Sequence, residues 1–196
     1  MGKAGKKSCR YYMIASALIL IMVYFFPIWS ISLEAPQYPE GIGLNIWVHT
    51  IEGKQAQDLQ NINGLNHYIG MKPIQPDSIP ELRFMPPIFA TFIVLGLFAA
   101  WMDRPKLYLT WLILFAVLAL VGLADFWYWE YDYGHDLSSD APIKVPGMSY
   151  QPPLIGTKQL LNMRTTSMPH IGFLFAILSM AGGAWAWWCS KKQSPS

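Results

Sequence analysis

Four stretches of the chain are apolar almost without interruption, and the residues between them are rich in Pro, Gly, Asn and charge. They run from about Met13 to Ser32, Phe84 to Met102, Leu107 to Trp129 and Ile171 to Cys189. At a rise of about 1.5 Å per residue, a stretch of ~20 residues covers a hydrocarbon core roughly 30 Å thick. Lipid offers no partner for backbone N–H and C=O groups, so each stretch is expected to be a helix that pairs its own. The pattern predicts an all-α membrane protein with four transmembrane helices, forming one membrane domain over residues 1–196. Two long loops, 33–83 and 130–169, join these helices on one side. In the first, the alternation of Leu44–Ile51, closed by Glu52-Gly53-Lys54, predicts a short strand. Asp58–Met71, ending near Gly70 and Pro73, predicts a turn or two of helix. A small cap over the helix ends is expected, because loops this long rarely stay ordered without packing.

Charge gives this layout a direction. The N-terminal end, the Asp103–Lys106 turn and Lys191-Lys192 hold eight basic residues against one acid, whereas the two long loops hold six against eleven when Asp125, at the outer end of the third span, is counted with them. The formal net charge of +2 is thus the remainder of +7 on one side and −5 on the other. The positive-inside rule then puts both termini in the cytoplasm and the long loops outside. The basic residues before the first span resemble a signal peptide, but the apolar run is long and no small-residue cleavage site follows, so an uncleaved anchor is expected. Tryptophans near both ends of the spans, Trp29 and Trp111 among them, suggest interfacial belts. Cys9 and Cys189 fall at the cytoplasmic ends, where thiols stay reduced.

Composition narrows the function. With 53% hydrophobic and 13% charged residues, the chain is neither disordered nor an ordinary soluble domain. A net charge of +2 does not suit a nucleic-acid binder. Metalloprotease, nucleophile-elbow, P-loop and Cys-x-x-Cys motifs are missing from the sequence, so no enzymatic activity is expected. The remaining chemistry is in the outer loops. His67 and Met71 stand four apart, and Met163, Met168 and His170 cluster before the last span. Thioether and imidazole together suit Cu(I), which makes these five the candidate metal donors. The bland alternative is that they pack the loops onto the helix ends. Asp125, Glu130, Asp132, His135, Asp136 and Asp140 read as a solvated acidic rim. Asp125 lies about a turn inside its span and needs a partner there. Arg164 is expected to supply an ion pair, with Lys158 as the alternative.

The runs Ala35–Leu44 (APQYPEGIGL), Asp58–Lys72 (DLQNINGLNHYIGMK) and Gln151–Gly156 (QPPLIG) resemble a family of small four-helix membrane proteins encoded in bacterial nitrous-oxide-respiration gene clusters. The resemblance spans most of the chain and carries no activity with it. It implies an accessory role at the outer face of the bacterial inner membrane, in copper handling and maturation of nitrous oxide reductase. The partners implied are that reductase, its copper-chaperone lipoprotein and ABC-type assembly proteins. The alternative is a metal-free scaffolding subunit of a membrane assembly complex.

Overall fold

The computed structural model describes residues 3–193, and the side chains of residues 3–8 lie outside the described ones. Helix α1 (Lys3–Ile19) tightens into a 3-10 turn at Leu20–Tyr24. Pro27 follows, and the residue before a proline is pushed toward extended backbone. The chain then enters strand β1 (Trp29–Ala35), so the last residues of the first apolar stretch belong to a sheet and not to a helix. The continuation is β2 (Tyr38–Ile46), β3 (Ile51–Gly53), α2 (Asp58–Ile69), α3 (Pro80–Met102), α4 (Pro105–His135), β4 (Gly156–Leu160), β5 (Met163–Pro169) and α5 (Ile171–Gln193).

This corrects the all-α expectation. The fold is mixed, 58% helical with an antiparallel sheet of five strands in the order β3-β2-β1-β5-β4 among the described residues. The helices long and apolar enough to cross a membrane number three there, α3, α4 and α5, and not four. The first apolar segment is the shorter Cys9–Tyr24. The strand expected over Leu44–Ile51 is folded back on itself. Trp47 N–H donates to Thr50 O at 2.8 Å, turning β2 into β3.

The helices pack through small residues, which let apolar helices approach closely. Ser16 and Ser179, both buried, exchange side-chain-to-backbone hydrogen bonds between α1 and α5. A Cβ on Gly96 would meet Ala17 Cβ at 2.7 Å, and one on Gly183 would meet the Trp111 ring at 2.7 Å. Trp111 is 3% exposed and donates its indole N–H to Phe92 O, so it is a core residue and not part of a belt. Trp29 likewise leaves the belt. It is buried beneath the sheet, donating to Ser167 Oγ at 2.8 Å. The Cys9 and Cys189 sulfurs are 2.06 Å apart in a disulfide, which corrects the expectation of two free thiols.

The sheet has two unlike faces, as the period of two demands. Trp29, Ile31 and Leu33 of β1 align with Ile46, Leu44 and Ile42 of β2 and with Pro169, Ser167 and Thr165 of β5. This face packs on α2 and on the cap-side end of α4, through Ile62, Phe126, Trp129 and Tyr133. The opposite face carries Ser30, Ser32, Glu34, Asn45, Arg164, Thr166 and Met168. Helix α4 is 31 residues long, about 46 Å, and outlasts a hydrocarbon core of roughly 30 Å. Its turns from Glu130 onward rise into the cap.

Candidate functional site

Between the apolar face of the sheet, α2 and the projecting end of α4 lies a cavity of about 70 Å³. Its walls are almost wholly apolar, formed among others by Ile31, Leu33, Leu44, Ile62, Leu65 and Trp129. Asn66 and Tyr133 also line it, donating to Lys72 O and Pro73 O, and three further polar side chains break the apolar lining. Glu130 comes from α4, Thr165 from β5 and Tyr150 from the segment before β4. They are 0%, 2% and 3% exposed, and neither carboxyl oxygen of Glu130, the Thr165 hydroxyl nor the Tyr150 hydroxyl has a hydrogen-bond partner among the described residues.

Each is held there by its element. Glu130 faces the sheet, while Gly134, one turn further on, meets the backbone of Gln151, where an added Cβ would come within 2.4 Å of its nitrogen. Tyr150 N–H donates to Gly134 O at 2.9 Å, which delivers the phenol to the cavity. Thr165 shares its face with Met163 and Ser167, the residues two away on either side. Ser167 is satisfied, accepting from Trp29 and donating to Leu154 O, and Thr165 is not. Burial in this apolar setting pushes the Glu130 carboxyl up to about 8, because charge without a partner is costly in a low dielectric. The group is therefore a neutral acid at pH 7, with an O–H to donate.

A strap closes the cavity on one side. Helix α2 ends at Gly70 in the left-handed conformation (φ 81°), with the Gly70 and Met71 N–H groups donating back to the last turn. Asn63 pairs with both backbone groups of Ile74, at 2.7 and 3.0 Å. Met71, between these anchors, lines both the cavity and an open cleft formed by His67, Lys72, Asp136, Asp140 and their neighbours. Asp136 and Asp132 hydrogen-bond the Lys72 ammonium and hold it protonated beyond the usual lysine range.

The five candidate copper donors do not come together. Met71 and Met163 line the cavity and pack in one apolar cluster with Tyr150. His67 is exposed on α2 and faces the open cleft. Met168 is 47% exposed on the polar face of β5, opposite Met163 at 6%. His170 follows the far end of that strand, roughly 20 Å of extended chain from Met163. It donates its backbone N–H to Ile28 O. The five do not form a single donor set in this fold. Among the described residues no cluster of three His, Cys, Asp or Glu side chains has metal-binding geometry either.

The Asp125–Arg164 ion pair does not form. Arg164 sits opposite Glu34 on the outer sheet face, and Lys158 donates to Gln151 O. The ion pairs among the described residues are those of Lys72.

No protein-family model and no curated protein matches the chain. The site must therefore be read from its own residues. Glu130 is the one that the sequence reading misassigned, as part of a solvated rim. The available signal was its spacing: Phe126, Glu130 and Gly134 lie four apart on one helix face, the face that packs on the cap.

Proposed function

We propose that the protein is a membrane-anchored binding protein whose cap encloses a small, electrically neutral ligand. One observation carries this reading: three buried polar groups without partners, Glu130, Tyr150 and Thr165, converge on one apolar cavity. Buried polar groups are nearly always paired, so three orphans at one cavity mark a place where a partner from outside the chain completes the structure. Apolar walls disfavour an ion. A neutral molecule keeps both the walls and the polar groups satisfied.

The setting proposed is the bacterial inner membrane that the family resemblance implies, and the charge asymmetry supports an orientation with the cap on its outer side. In that orientation Cys9 and Cys189 meet the reducing compartment, and cellular thiols would open their bond.

The reading is tested by purifying the protein in lipid nanodiscs, denaturing it, and identifying released small molecules by mass spectrometry. Thr165→Met, which fills the cavity, is the control, with its fold checked by circular dichroism. Enrichment of a neutral compound in the wild type over this variant is expected. Identical profiles would count against a ligand-binding role.

A further inference from the structure

The three unpartnered groups also specify what the ligand carries. A neutral Glu130 offers one O–H donor in the cavity, and the Tyr150 and Thr165 hydroxyls can each donate or accept. Among the described residues no basic side chain lines the cavity to neutralise an anion, and Lys72 is engaged outside it by Asp132 and Asp136. A cation would leave its coordination shell facing the isoleucine, leucine and tryptophan walls. A ligand that only donates would leave the Glu130 proton unmatched, and a purely apolar one would leave all three groups unmatched and desolvated.

The volume limits size as well. One water needs roughly 10–15 Å³ of such space, so about 70 Å³ holds about five, and the buried part of the ligand has only a few heavy atoms.

We propose, building on the binding role above, that the cavity selects a small neutral molecule with a carbonyl-type oxygen, which accepts from Glu130 while Tyr150 and Thr165 supply the flanking hydroxyls. The apolar remainder of the molecule rests on Leu33, Leu65 and the thioethers of Met71 and Met163. Glu130 is then the specificity-determining residue, and the walls contribute affinity without discrimination.

Two isosteric probes separate these contributions: butan-2-one, and 2-methylbut-1-ene, in which a CH₂ group replaces the oxygen. Methionine-methyl NMR reads the binding. Met71 and Met163 are the reporters within the cavity, and Met168, on the opposite sheet face, is the internal control. The wild type is expected to bind the ketone about tenfold tighter than the alkene, as one net hydrogen bond implies. Glu130→Gln keeps a neutral donor and should retain the preference. Glu130→Leu should still bind the alkene, with a ratio near one. Equal binding of the two probes by the wild type, or a preference that survives in Glu130→Leu, overturns the carbonyl assignment and leaves the binding role intact. Failure of both probes to move the Met71 and Met163 signals would remove the binding role as well.

Discussion

The Lys72 ammonium lies 2.7 Å from Asp136, the residue that caps the end of α4, and 3.0 Å from Asp132 in the last turn of that helix. It thereby fastens the strap that holds Met71 between the cavity and the outer cleft. All three side chains are substantially exposed, so the pair is screened by salt and contributes roughly 0.2–1 kcal/mol. Because Lys72 stays protonated beyond the usual lysine range, the latch should persist across neutral pH and weaken only at strongly alkaline pH. Lys72→Ala, or the wild type in high salt, should show faster amide exchange over residues 70–74 with little change in global melting. Unchanged exchange in both conditions would mean that Lys72 does not hold the strap.

Glu130 makes stability depend on pH. Its folded-state value of about 8 lies above the ordinary 4.5, so the folded protein binds this proton more tightly than the unfolded chain does. The associated stability is fully present below pH 4.5, declines as pH rises, and is lost once pH passes about 8. Melting temperature in detergent should fall across that window, and Glu130→Gln should flatten the profile. A wild-type profile that rises with pH across the window would contradict a neutral Glu130.

Gly134 should tolerate no side chain. Alanine there would drive a methyl into the Gln151 backbone, at 2.4 and 2.5 Å from its nitrogen and Cα. Overpacking of this kind costs about 1–3 kcal/mol, and relief requires moving the segment that carries Tyr150. Gly134→Ala should therefore lower the melting temperature and weaken butan-2-one binding together. A variant with normal melting and normal binding would show that this contact can yield.

The Cys9–Cys189 bond joins α1 to α5 across a separation of 180 residues. Cross-linking so long a loop stabilises by about 2–5 kcal/mol, chiefly by restricting the unfolded chain. Cys9→Ser, or reduction with dithiothreitol, should lower thermal stability in detergent while leaving the cap intact. Labelling of intact cells with a membrane-impermeant maleimide, before and after reduction, reports which side the pair faces. Labelling only after the membrane is permeabilised supports the orientation read from charge.

Much of the helical part was legible in the sequence, because hydrophobic length is a strong signal in lipid. Helices α3, α4 and α5 overlap the expected spans and extend them by a few residues, and α2 ends at Gly70 as its turn signals indicated. The sheet was less legible. Trp29-Ser30-Ile31-Ser32-Leu33 alternates with a period of two, yet it continues an apolar run with no break before Pro27, and length masked the alternation. β4 and β5 lie in a loop whose polar residues face outward and whose inward positions, Thr165 and Ser167, are themselves polar. The cavity could not be read at all. It depends on α4, β5 and the Tyr150 segment meeting in space, and no local pattern encodes that meeting. The donor cluster failed for a related reason. Met163 and Met168 are near in sequence, but five steps along a strand place them on opposite faces.

The central claim is that the Glu130, Tyr150 and Thr165 cavity admits a ligand from outside the chain. Xenon tests it most directly, since it enters apolar cavities without needing a hydrogen bond. Methionine-methyl spectra of the protein in nanodiscs, recorded with and without xenon pressure, should show saturable shifts at Met71 and Met163 and none at Met168. The absence of any shift at Met71 and Met163, or equal shifts at all three, would contradict it.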